Sequence, residues 1–265
     1  MGQAMEILTG FTTAPSTTFT ALTMGSGDSA TVRNTAIGSK ILLIQAWTQK
    51  NAAGVFRIRS ARLHDVAQGI RMADIAAQVD AHLPWGVPQP LFPQDALILE
   101  QTGSAVGGKI EQASLLMYYQ DLPGITARLA NWSDIANRIK NIEIVEASIT
   151  AGAAGGYSGS QAINVTFDNF KANTDYALLG GYVNARCTSV GIKGSDTGNL
   201  RVGFPGEPTQ VFLTKWWFRF LSEHYGLPMI PIFSSSNKGV ILVDVAQNDG
   251  GAAVIVSLQM AELGT

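Results

Sequence analysis

The sequence predicts an all-β protein built as two tandem eight-stranded barrels. Three observations lead there. Short apolar segments rich in Val, Ile, Phe and Tyr run along the whole chain, with Gly, Asn, Asp and Ser between them, as strands and tight turns require. A series of landmarks then recurs in the same order about 140 residues later, which is the signature of an internal duplication. Finally, half of a 265-residue chain is a suitable length for one barrel of short strands.

The elements follow in order. MEILTGFTT from Met5 and KILLIQAWT at Lys40 to Thr48 read as the first long strands, matched in the second half by IEIVEASIT from Ile142 and TDYALLGGYV at Thr174 to Val183. VFRIRSARL at Val55 to Leu63 and LRVGFPG at Leu200 to Gly206 are further strands. One helix is expected in each half. GIRMADIAAQVDAHL spaces Ile70, Ala73, Ala77 and Ala81 helically, and TQVFLTKWWFRFLSEHY places Leu213, Trp216, Trp217, Phe220 and His224 on one face, with Thr209 available as a cap. Each helix runs into a proline-marked phrase, HLPWGVPQPLF at His82 and HYGLPMIPIF at His224. Pro88 and Pro228 would end the helix and launch the next strand. Both halves then close on a predicted antiparallel hairpin: ALILEQ through TGSAVGG into KIEQASLLMYY, and GVILVDV through AQNDGG into AAVIVSLQMAEL. TARLANWSDIANRIKN puts Leu129, Trp132, Ile135 and Ile139 on one stripe and reads as a linker helix. The expected division is residues 1–124, a linker helix over 125–141, and residues 142–265. TMGSGDS at Thr23 and GAAGGYSGS at Gly152 read as surface loops.

Composition narrows the function. With 18 basic and 20 acidic residues the net charge is −2, and the first positive side chain is Arg33, so no basic arm is present to neutralise nucleic acid. Residues at the N-terminus lack the charged and apolar regions of a secretory signal, and no apolar run is long enough to cross a bilayer as a helix. The single Cys187 allows no intrachain disulfide and suits a reducing compartment. Only 14% of residues are charged while 46% are hydrophobic, a balance suited to a surface largely covered by neighbours.

No catalytic, cofactor-binding or metal-binding residues are expected. His64, His82 and His224 are far apart in sequence, no serine sits in a GxSxG elbow, and the glycine-rich stretches lack the lysine of a phosphate-cradling loop. His82 and His224 instead fall at the two predicted helix ends, where imidazolium complements the dipole. Asn248, Asp249 and Asp244 are read as turn residues. The aromatic run Trp216, Trp217, Phe218 cannot all face one core, because consecutive helical residues point about 100° apart. Trp216, Trp217 and Phe220 are expected to pack on the barrel, and Phe218, with Trp217, is the candidate contact between barrels or subunits.

Two tandem barrels, each with a helix before its last strands, resemble the double jelly-roll major capsid proteins of tailless icosahedral viruses, the lineage of the adenovirus hexon and many membrane-containing bacteriophages. The resemblance rests on the repeated pairs KILLIQAWT/YALLGGYV, HLPWGVPQPLF/HYGLPMIPIF and SLLMYYQDL/SLQMAEL. It implies a non-enzymatic shell protein located in the virion after synthesis in the host cytoplasm. Its partners would be two further copies in a pseudo-hexagonal homotrimer, neighbouring trimers, a separate vertex protein and an underlying viral membrane or protein layer. Direct nucleic-acid binding is not implied. Two other classes share the architecture: a jelly-roll binding module such as a spike or lectin-like protein, and a two-domain cupin-like enzyme, whose close-set histidine ligands are missing here.

Overall fold

The computed structural model describes residues 2–25, 28–50, 52–63, 68–74, 79–81, 88–103, 110–150, 152, 155–163, 170–247 and 253–264. Strands dominate. The first half contains β1 (Ala4–Thr12), β2 (Thr20–Ala21), β3 (Thr23–Met24), β4 (Ile41–Gln49), β5 (Gly54–Arg59), β6 (Ile70–Asp74), β7 (Val79–Ala81), β8 (Gln89–Pro90), β9 (Ile98–Gln101) and β10 (Glu111–Tyr119). After β11 (Leu129–Ala130) and the one-turn helix α1 (Trp132–Ile135) come β12 (Ile139–Thr150), β13 (Tyr157–Ala162), β14 (Asp175–Val183), β15 (Cys187–Lys193) and β16 (Val202–Gly206). Helices α2 (Val211–Lys215) and α3 (Trp217–Tyr225) lead to β17 (Ile230–Ser234), β18 (Leu242–Ala246) and β19 (Ala253–Leu263).

These strands form four antiparallel sheets, two in each half, none of them closed. One sheet of the first half runs β1-β10-β4 with β3 beside β1 and both β7 and β8 on the far edge of β4, and its companion runs β2-β9-β5-β6. In the second half the orders are β12-β19-β14-β17-β11 and β13-β18-β15-β16. The two halves therefore repeat one pairing scheme: β1 with β10, β2 with β9, β4 with β8 and β5 with β6 become β12 with β19, β13 with β18, β14 with β17 and β15 with β16.

Register fixes which residues correspond. Ile7 lies opposite Leu116 and Ile144 opposite Gln259, so MEILTGF and IEIVEAS occupy the same places. A bulge interrupts the pairing of β4 with β10 between Leu116 and Met117, and the equivalent one interrupts β14 with β19 between Leu178 and Gly180. Met117 thus matches Met260, and Trp47 matches Tyr182.

Several sequence expectations are corrected. The predicted closing hairpins are not hairpins: β9 and β10 lie in different sheets, as do β18 and β19. β10 already has β1 on one edge and β4 on the other, so its chain neighbour must cross the gap between sheets. The turn at Asp249 lies outside the described residues. The first predicted helix is absent from the described part of its segment, where β6 pairs with β5 and β7 pairs with β4. Arg71, Met72 and Ala73 read exposed, buried, exposed, a strand alternation that overrode alanine's helix preference. The matching segment of the second half does form helices. Gly180 corresponds to Gln45, and a Cβ built at Gly180 would run into the backbone of Thr214 and Lys215, so glycine is what lets α2 and α3 settle on β14. Glu207, not Thr209, caps this segment by accepting from the Thr209 amide at 3.2 Å.

The linker is likewise not one helix. Leu129 and Ala130 pair with Pro231 and Ile230, and Ile139 opens β12, leaving α1 and a following 3-10 turn between them. Arg128 fastens this strap by donating to both carboxylate oxygens of Asp175 at 3.0 and 2.6 Å. β8 and β17 do begin just beyond Pro88 and Pro228.

Candidate functional site

The sheet that contains β1, β4 and β10 is buried on both faces, which explains why ASLLMYY reads as a continuous run rather than an alternation. Leu8, Leu43, Leu115, Met117 and Tyr119 face the core of the first half. Met5, Ile7, Ile44, Trp47, Leu116 and Tyr118 face the other way and join the core of the second half. Sheets are thus stacked across the junction, with β15 and β16 of the second half against β1, β4 and β10.

A connected chain of polar side chains crosses this seam. The Trp47 indole N–H donates to the Thr188 carbonyl at 2.8 Å and lies 3.0 Å from Ser189 Oγ. Ser189 and Ser114 hydroxyls are 2.6 Å apart, Ser114 and Thr9 2.7 Å, and Thr9 Oγ1 is 3.0 Å from the Tyr157 hydroxyl. Arg201 sits at the end of this chain between two carboxylates, donating to Asp28 at 2.8 Å and to Asp244 at 3.2 Å, with its guanidinium 3.9 Å above the Tyr157 ring. The amide of Ile7 donates to the Arg201 carbonyl at 2.8 Å.

This arrangement reverses three sequence expectations. TMGSGDS is not wholly a surface loop: Thr23 and Met24 form β3 and the Asp28 side chain is shielded, while Ser26 and Gly27 lie outside the described residues. GAAGGYSGS leads into β13, where Tyr157 is buried, and Gly155 and Gly156 come against Phe11 and Gly25 of the first half. Asp244 is a mid-strand residue of β18 rather than a turn residue. The missed signal was a lone aspartate and a lone arginine in glycine-rich, weakly patterned surroundings, which become partners only through the seam. Chemically, the seam is a structural lock. Its hydroxyls are buried and bond one another, and burial also pushes the Cys187 thiol up, away from reactivity. Among the described residues no group of three His, Cys, Asp or Glu side chains could hold a metal ion, and no helix is long and apolar enough to cross a membrane.

Asp28 gives the seam a pH dependence. Burial raises its carboxyl to about 6, against the opposing pull of Arg201 and the Thr9 amide. A carboxyl that binds its proton more tightly when folded contributes stability that is complete below its ordinary value of 3.8 and is lost as pH rises through about 6. Asp28→Asn is therefore expected to flatten the stability difference between pH 5 and pH 7 by roughly 1–3 kcal/mol, read from urea midpoints of both proteins at the two pH values. An unchanged difference would contradict it.

Trp217 and Phe218 are both wholly buried. Trp217 reaches the first half, its ring edge-on to Trp47 at 5.7 Å and 82°. Phe218 belongs to the second-half core, so it is not left outward as the helical wheel suggested. The more exposed aromatics are Trp216 and Phe220, and the helix is thus turned relative to the expected face. They line a surface groove of about 500 Å³ with Phe212, Leu213, Arg219 and Glu223, in which Phe212 is 90% exposed. Arg219 lies 4.3 Å over Trp132. His224 is in the last turn of α3, stacked on Phe220 at 6.0 Å, while His64 and His82 lie outside the described residues.

No family model matches the chain, and no curated protein matches it. Among solved structures, the PBSX exported protein XepA is similar over 97% of this chain and 86% of its own, at 10% identity and a TM-score of 0.27. That similarity is too low to define a shared fold. The all-β duplication and its seam stand on their own geometry.

Proposed function

We propose that each half is a jelly roll and that the chain is the major capsid protein of a tailless icosahedral virus, three copies forming a pseudo-hexagonal tile. The observation that carries this reading is the pairing scheme common to both halves. Leaving out β3 and β7, eight strands of the first half match β12–β19 of the second: first pairs with eighth, second with seventh, third with sixth and fourth with fifth, and the order is 1-8-3-6 in one sheet and 2-7-4-5 in the other. A long antiparallel hairpin rolled up on itself gives this order, which supports the jelly-roll reading. Two such units joined by a buried seam suit the role of a tile. The low charge density supports extensive lateral contacts with neighbours. Further proposed partners are neighbouring trimers, a vertex protein and an inner membrane or protein layer, with the virion as the location and no catalytic activity.

The test is the solution mass by light scattering coupled to size exclusion. A particle of three times the 28.1 kDa chain, or a larger shell visible by electron microscopy, is the expected result. A monomer at every concentration would overturn the tile and favour the second reading, a binding module. The groove lined by exposed Phe212 and half-buried Trp216 and Phe220 supports that alternative. A glycan screen against Trp216→Ala would then follow.

A further inference from the structure

The internal duplication leaves one of its own contact surfaces uncovered. Met5 and Ile7 on β1 are fully buried in the seam against the second half. Their register equivalents on β12 are Ile142 and Ile144, because Met5 and Ile142 lie opposite Tyr118 and Ala261, and Ile7 and Ile144 opposite Leu116 and Gln259. Ile142 and Ile144 are each 42% exposed, and Ile255, opposite Ser148 in the same sheet, is 38% exposed. Thr9, which bonds across the seam, has Glu146 as its equivalent. β1 is flanked on its outer edge by β3, whereas β12 ends its sheet. A twelve-residue edge strand carrying outward isoleucines is an association surface by default.

The first half offers the matching piece. What packs on Ile7 inside the chain is the β15–β16 region, where a Cβ built at Gly203 would lie 3.2 Å from Ile7 Cδ1. Gly191 pairs with Gly203 and with Asp244, and in the first half Arg57 pairs with Arg71 and with Glu100. The equivalent face of β5, β6 and β9 therefore carries arginines where the internal seam carries glycines. Arg57 and Arg59 both pair with the Glu100 carboxylate, Arg57 is stacked 3.7 Å from the Phe19 ring, and Arg71 is exposed beside it. Arg71 is an exposed positive charge on that face, and the open β12 surface carries Glu146, which also accepts from the Ser257 hydroxyl.

We infer that the β12 surface of one copy docks on the β5–β6 face of a second copy, with Ile142 and Ile144 covered and Glu146 set against Arg71 and Arg57. Such a contact is head-to-tail, joining second half to first half as the chain already does internally, and it closes into a ring when the rotation allows. The arginines hold the sheets further apart than the glycines of the internal seam do, so this joint depends on charge and weakens with salt. The inference rests on the capsid-tile reading and names the contact by which its copies meet.

The experiment is sedimentation and light scattering on the full chain and on Ile144→Asp, Glu146→Arg, Arg71→Glu and the Glu146→Arg/Arg71→Glu double variant, with Ile37→Asp as an exposed control elsewhere. Each single interface variant is expected to weaken association about ten-fold or more, at an unchanged melting temperature. The control is expected to leave association alone, and the charge-swapped double variant to recover it. Assembly that persists unchanged in Ile144→Asp and Glu146→Arg would overturn this contact while leaving the tile reading in place. A wild-type chain that is monomeric at every concentration would overturn both.

Discussion

Arg201→Ala is expected to destabilise the protein by about 3–5 kcal/mol, because it strands two buried carboxylates. Asp28 and Asp244 are each only 3% exposed at the side chain, and Arg201 lies between them. Burial already pushes both carboxyls upward with the guanidinium in place. Without it their ionised forms lose the nearest compensating charge. Tyr157 also loses the cation above its ring. Lysine should recover only part of the loss, since an ammonium cannot reproduce a planar fork set between two acids. Guanidinium unfolding at pH 7 reads the effect, and the deficit should shrink toward pH 5 as the acids take up protons. A loss below 1 kcal/mol would mean that solvent reaches the seam.

Trp47→Ala is the second large effect, again about 3–5 kcal/mol. The ring is fully buried, donates from its indole N–H into the second half, and meets Trp217 edge-on. Its removal leaves a cavity shared by the two halves. Both halves should therefore lose stability together, and the variant should still unfold in a single transition. Two separated transitions, with the second half unchanged, would show that the seam does not couple them.

The fold was legible in the sequence where local pattern and tertiary environment agree. Continuous apolar runs marked the doubly buried strands β4 and β10, and the MEILTGF/IEIVEAS echo marked β1 and β12, the partners of β10 and β19, in correct register. The helix on β14 was legible because Trp217, Phe218 and Leu221 are fixed by its own sequence, although which ring faced inward was not. Legibility failed where the deciding partner is distant. GIRMADIAAQVDAHL has helical spacing, yet β5 and β4 needed strand partners there, and Gln45 stands where Gly180 admits a helix in the other half. The closing strands looked like hairpins because a short turn separates them in sequence, and only the occupied edges of β10 and β19 send them to opposite sheets. The seam was invisible for the same reason: Asp28 and Arg201 carry no pattern until the sheets are stacked.

The sheet shared between the two cores has a consequence for synthesis. As the chain leaves the ribosome, the first half can pair its own strands, but Met5, Ile7, Trp47 and Tyr118 remain bare until β15 and β16 emerge. At typical elongation rates that interval is on the order of ten seconds. Through it the nascent half displays the kind of apolar surface that chaperones retain and that neighbouring nascent copies can seize. Maturation thus begins as a race between the chain's own second half and another copy's, which the tether wins by proximity.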